Sequence, residues 1–185
     1  SIVRIGCMAH IRRKFFDAHK VAKEDPKPRE IVEQIAGLYQ IEKQAREAQL
    51  NPEQRKALRQ EKSVPLLAAL KERILELRQD PKVLPKSLLG KACSYALNQW
   101  ERTIKYVDHG EVEIDNNRCE NGIRPLALGR KNWLHIGSEE AGPKIAGIVS
   151  IIETCRRLGI NARDYMLDVL PGLAERKQSE LKDLT

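Results

Sequence analysis

A chain of 185 residues is long enough for one ordinary domain, or a domain with an appendage, built around a sizeable core. Its formal net charge of +7 favours an anionic partner, although charged residues of both signs make up 32% of the chain and much of that is solvated helix surface. No apolar run approaches the roughly 18 residues of a membrane span, so no membrane partner is expected. Cys7, Cys93, Cys119 and Cys155 are too scattered for a disulfide framework, and a reduced, cytoplasmic setting is expected.

The opening SIVRIGCMAH lacks the charged-then-apolar layout of a signal peptide. It starts without Met on a strand-like run, and the chain is expected to be a piece of a longer one. SIVRIG alternates apolar and basic residues up to Gly6 and predicts a short strand. Ile11, Phe15, Ala18 and Ala22 then define the inner face of a helix, with Arg12, Arg13, Lys14, Lys20 and Lys23 elsewhere on it. Pro26 and Pro28 end that helix, and Ile31, Ile35, Leu38 and Glu42 mark the next, with Glu42 already polar in an apolar stripe.

Asn51-Pro52 reads as an N-cap followed by Pro at the first helical position, and Pro65 is expected to interrupt or kink the helix that follows. Leu67, Leu70, Ile74 and Leu77 continue as an apolar stripe. Ser87 caps a helix with Leu89, Ala96, Trp100 and Ile104 inside. HGEVEID is read as a turn with a short extended piece, and WLHIGSEEAG as a loop or small ribbon. Ile145, Ile148, Ile152 and Cys155 predict a helix ended by Gly159; Asn161 caps a last one carrying Tyr165 and Leu170. The tail from residue 173 is polar. About seven helices and one or two short strands are expected.

Residues 113–133, EIDNNRCENGIRPLALGRKNW, carry the densest chemistry. Glu120 is one carboxylate framed by Arg118, Arg124, Arg130 and Lys131, ahead of Pro125, a residue that limits helices. Its spacing from Asn117 is that of a capping box, in which an N-cap side chain and a glutamate three residues on satisfy each other's backbone amides. The cations suit phosphate, and a carboxylate inside a basic surface suits an enzyme that holds a divalent metal at a scissile phosphate. Mg²⁺ takes a few carboxylates, water and phosphate oxygens, so one glutamate needs carboxylate partners.

Cys7-x-x-His10 is only half of a zinc site, with no second pair at zinc-finger spacing, and reads more readily as a buried Cys beside a hydrogen-bonded His at a strand end. RRKFFDAHK is either a DNA-contacting face, through Arg12, Arg13 and Lys14, or a solvated one with Phe15 in the core. Trp100 and Trp133 read as core or rim residues more readily than as base-stacking platforms.

IDNNRCENGIRPLALGRKNWLHIGS resembles the signature of the insertion-sequence-66 family of bacterial DDE transposases. GCMAHIRRKF, LYQIEKQAR, LPKSLLGKACSYALNQW and SIIETCRRLGINARDYMLDVL agree with it in order and spacing, so the resemblance covers nearly all of residues 5–170. Departures fall at Met8, usually aromatic, at His135, usually Phe, and at Asn121-Gly122, commonly Arg-Ala. The resemblance implies that Glu120 is the third acidic residue of the DDE triad and a ligand of Mg²⁺. The complete enzyme would hold two such ions on a ribonuclease-H-like core, and this piece alone none. Cys7, His10, Asp115, Asn116 and Asn117 would stand near the site. Arg12, Arg13, Lys14, Arg118, Arg124, Arg130 and Lys131 would contact DNA.

The fold expected on that basis is mainly α: a helical insertion plus the C-terminal piece of a split ribonuclease-H-like core, with one or two short strands. Residues 1–23 would be the last core strand and a basic helix, and 24–110 the all-helical insertion. Residues 111–172 would carry the catalytic glutamate and C-terminal helices, followed by the tail 173–185. The implied partners are double-stranded DNA (transposon ends and target), the upstream portion of the same transposase, and a second copy of the chain. The implied setting is a bacterial cytoplasm, at the nucleoid. Two other readings stay open. One is a helix-turn-helix DNA reader ending in 162–170, weakened because Asp164 and Asp168 outweigh Arg163 at phosphate. The other is a non-catalytic helical assembly module.

Overall fold

The computed structural model describes residues 4–133 and 137–171, the side chains at 130–133 excepted. It forms two compact units, Ser1–Arg118 and Cys119–Thr185, each described here by itself. Eight α-helices run through the described residues: α1 Met8–Val21, α2 Pro26–Glu47, α3 Pro52–Leu58, α4 Val64–Gln79, α5 Leu88–Thr103, α6 Asn117–Trp133, α7 Ala141–Leu158 and α8 Ala162–Val169. A π-helical turn, Arg59–Ser63, joins α3 to α4, and a 3-10 turn, Ile104–Asp108, follows α5.

In the first unit α1 packs on α2 and α5, and α4 packs on the same two helices, so four helices enclose one core. Their apolar stripes supply it: Ile11 and Phe15 from α1, Ile31, Ile35 and Leu38 from α2, Leu70, Ile74 and Leu77 from α4, and Trp100 from α5 are all buried. Truncating one such aliphatic side chain to Ala typically costs about 2–5 kcal/mol.

The helix ends follow their local chemistry. Asn51 and Gln54 form a reciprocal capping box, and Ser87 accepts from the Gly90 amide. Pro26 opens α2 as its first residue, behind an Asp25 cap, rather than only closing α1. Pro65 does not end the helical run: it is the second residue of α4, which continues through it to Gln79. A proline lacks an N–H and crowds the carbonyl four residues back. The π turn just upstream relaxes that crowding, with the Val64 amide reaching back to the Arg59 carbonyl.

The expected strands are not found among the described residues. Ser1–Val3 lie outside them, and Arg4–Cys7 have no strand to pair with. Instead the Gly6 amide donates to the Arg102 carbonyl (2.9 Å) and Met8 to Ile114 (3.2 Å). A β-carbon on Gly6 would strike Thr103, so this approach to the end of α5 needs glycine. Residues 111–114 form no strand: the Val112 amide closes a turn on the His109 carbonyl (3.0 Å), and the Val112 carbonyl accepts from Arg59 (2.8 Å). The C-terminal piece of a split ribonuclease-H-like core, expected from the resemblance, is not confirmed by these helices.

In the second unit α7 and α8 meet around Cys155, with Gly159 in the left-handed region (φ 71°) turning the chain between them. Asn161 caps α8. Of the residues whose spacing predicts α7, Cys155 is buried while Ile148 is 49% and Ile152 44% exposed. α6 also runs on through Pro125 instead of stopping. The carbonyl that loses its partner there belongs to Asn121, which is exposed and can be hydrated, although an interior Pro still costs roughly 3 kcal/mol.

Candidate nucleic-acid and metal site

The segment leading to Glu120 is fastened before it begins. Arg59, fully buried, uses all of its guanidinium nitrogens. Nε and Nη2 donate to the two Glu42 oxygens (2.8 Å each), Nη1 to the carbonyls of Tyr106 and His109 (2.8 Å each), and Nη2 also to Val112 (2.8 Å). Arg55 bridges Glu42 (2.6 Å) and Glu113 (2.7 Å). Burial pushes the Glu42 carboxyl upward, but hydrogen bonds and charge from Arg59 and Arg55 outweigh it and hold it below the usual range. Arg55 likewise holds Glu113 low. Gly110 lies so close to the Pro52 carbonyl that a β-carbon would collide with it.

Beyond that clamp the chain turns into α6. The Asp115 carboxylate accepts from the Asn117 amide (3.0 Å), the Asn117 side-chain Nδ2 (2.8 Å) and the Tyr39 hydroxyl (2.9 Å). Asn117 is therefore the first helical residue rather than the cap, and the capping oxygen belongs to Asp115. The Asn116 amide donates to Cys7 Sγ (3.4 Å), and Cys7 precedes the first turn of α1. Four of the expected near-site residues, Cys7, Asp115, Asn116 and Asn117, thus lie together. His10 is half-buried in the first turn of α1.

Glu120 lies in the first turn of α6 and is exposed. With Asn121, Ile123, Arg124 and Ala127 it lines a shallow recess on that helix. Of the expected DNA contacts, Arg13, Lys14, Arg118 and Arg124 are exposed and Arg12 is half-buried; the side chains of Arg130 and Lys131 lie outside the described residues. Arg118 also approaches Glu113 at 3.9 Å. On α1, Phe16 carries Arg12 on its ring at 5.8 Å and Lys20 at 4.8 Å.

Among the described residues no group of three or more His, Cys, Asp or Glu converges as a metal cage. Glu120 is an accessible carboxylate, the kind of donor a hard cation takes, and would supply one of the several ligands such an ion needs. No helix among the described residues is long and apolar enough to cross a membrane.

Sequence reasoning missed Tyr39, Arg55, Arg59 and Glu113. The available signal was a charge inside a stripe: Glu42 follows Ile35 and Leu38 into the core, and Arg59 and Ser63 extend the stripe of Leu67 and Leu70 backward. A charge at a core position calls for a buried partner.

The first turn of α6 thus presents an exposed acid, Glu120, with the exposed Arg124 one turn on, a spacing that is also common on ordinary helix surfaces. The matching family is more specific: residues 1–144 fit the model of the transposase IS66 family, and the chain belongs to that family. It is 35% identical over 164 residues to the uncharacterized protein y4jD of Sinorhizobium fredii, covering 89% of this chain and 31% of that protein. It is 33% identical over 194 residues to y4hP of the same organism, covering 96% and 34%. The chain spans about a third of the length of these curated relatives. No solved structure matches it.

Proposed function

We propose that this chain is the C-terminal part of a DDE transposase and contributes the third acidic metal ligand, Glu120, for DNA strand cleavage and transfer. One observation carries the reading: within the segment matched to the transposase family, Glu120 is the acidic residue of the first turn of α6, exposed to solvent. Two bound Mg²⁺ would activate the attacking oxygen and stabilise the leaving one in such a reaction.

The chain's own residues then divide the work. Glu120 offers one carboxylate, and the other acidic ligands come from the rest of the full-length protein. Arg118, Arg124, Arg130 and Lys131, with Arg12, Arg13 and Lys14 of α1, hold DNA phosphates without reading bases, since such contacts position the duplex and carry no sequence information. Asp115, Asn116 and Asn117 fix the start of the helix that bears the ligand, and Cys7 meets that start through the Asn116 amide; His10 would lie near the assembled site. The helical first unit serves as the scaffold of the insertion.

Metal binding tests the reading. Mn²⁺ retained by a full-length family member carrying this segment, counted by electron paramagnetic resonance, should fall when Glu120 is replaced by Gln. Unchanged retention would return Glu120 to a helix-start role.

A further inference from the structure

The Asp115 carboxylate has both oxygens committed: one to the Asn117 amide, the other to the Asn117 side chain and to a phenol 76 residues away in sequence. The geometry points to Tyr39 as a positioning residue for Glu120, acting through Asp115 and the first turn of α6. This rests on the metal-ligand reading of Glu120.

The argument starts from helix ends. The first amides of a helix have no partners inside it, so a side-chain cap decides whether the first turn holds or frays. Glu120 belongs to that turn, and a carboxylate on a frayed turn has no fixed direction. Asp115 is the cap here, and a cap is only as fixed as its own side chain. Tyr39 fixes it from α2, directly after the fully buried Leu38. Burial first, then the Asp115 charge and hydrogen bond, push the Tyr39 phenol well above its ordinary range, so it stays a donor wherever the protein is folded. Upstream, Arg59 holds the carbonyls of Tyr106, His109 and Val112, and Gln60 reaches Val107 and Asp108. The Tyr39 bond thus continues a series of fastenings before α6, followed by the Asn116 amide on Cys7, and of these it is the one that lands on the capping carboxylate.

Hydrogen exchange on this chain, with Tyr39→Phe, Asp115→Ala and the double variant, tests it. Tyr39→Phe should speed exchange of the amides at 117–120 about fivefold, the factor that follows from losing one ordinary hydrogen bond. Amides in the middle of α2, α4 and α5 should keep their rates. Asp115→Ala should do at least as much, and the double variant no more than Asp115→Ala, because Tyr39 works through that carboxylate. In a full-length family member, Tyr39→Phe should also weaken Mn²⁺ binding while leaving the melting temperature nearly unchanged. Unchanged exchange at 117–120, acceleration spread evenly over all helices, or additive single effects would each overturn the inference and leave the role of Glu120 standing. Loosening at 117–120 beside full strand transfer by Glu120→Gln would instead overturn the metal-ligand reading, and the positioning role with it.

Discussion

Arg59 and Glu42 form an ion pair in which neither side chain is exposed at all, with Nη2 and Oε2 2.8 Å apart. The pair sits between α2 and the π turn, and the same guanidinium also holds three backbone carbonyls of the segment that leads to α6. Arg59 further lies over the Tyr106 ring at 4.9 Å.

That double duty predicts an asymmetry. Breaking a buried pair by removing one partner typically costs about 3–5 kcal/mol, whereas replacing both partners by apolar groups is often neutral. Here Arg59→Met should cost that much, and Glu42→Leu with Arg59→Met should fail to recover it, because the carbonyls of Tyr106, His109 and Val112 still lose their donor. Urea unfolding of the two variants checks this. A double variant as stable as the parent would show that the carbonyl bonds contribute little.

The same clamp sets an acid limit. Glu42 and Glu113 titrate below their ordinary value of 4.5 in the folded state, so the unfolded chain takes up protons first as pH falls. Their stabilisation is complete above about pH 4.5 and drains away as pH drops through the lower folded values. The melting temperature should fall over that range, and less steeply for Glu42→Gln with Glu113→Gln. A parent whose melting temperature holds or rises on acidification there would contradict the clamp.

Gln49 is the described non-glycine residue with positive φ (51°), where α2 ends with Gln49 and Leu50 amides reaching back to Arg46 and Ala45. This is a position that favours glycine. Gln49→Gly should raise stability by about 1 kcal/mol, since the left-handed conformation costs an L side chain about that much. Thermal unfolding would show it, and a loss of stability would mean the Gln49 side chain contributes more than its strain.

Much of the helical frame was legible because it is local. The stripes of Ile31, Ile35 and Leu38 and of Leu67, Leu70, Ile74 and Leu77 are buried as their spacing predicts, and the caps at Asn51, Ser87 and Asn161 need only nearby residues. Pro65 and Pro125 were read by their usual effect on a helix. The π turn and the exposed carbonyl that accommodate them depend on context that a proline alone does not reveal. The strand expected at residues 1–6 needed a partner that this chain does not offer among the described residues. For the candidate site, the Asp-Asn-Asn block carried the family. Tyr39 meeting Asp115 and Arg59 meeting Glu42 are long-range pairings, and no spacing rule reaches across them.

DNA affinity separates a transposase segment from a plain assembly module. If Arg124, Arg130 and Lys131 all touch phosphate, replacing them with Ala should weaken binding similarly for unrelated duplexes. The slope of log K against log salt should flatten by about 2.7, at about 0.9 per contact. Exposed cations paired only with surface acids are worth about 0–1 kcal/mol each and leave the slope in place. Titrations with one duplex at several salt concentrations decide between the two.

The central claim is that Glu120 is a metal ligand of the strand-transfer reaction, and joining of a cut transposon end to target DNA reads it directly. In a full-length family member carrying this segment, Glu120→Gln should abolish joining in Mg²⁺, because the amide keeps the shape of the side chain and removes its charge. The fold should survive, with a melting temperature close to the parent's, since the residue is exposed. Joining at the parent's rate by Glu120→Gln would contradict the account.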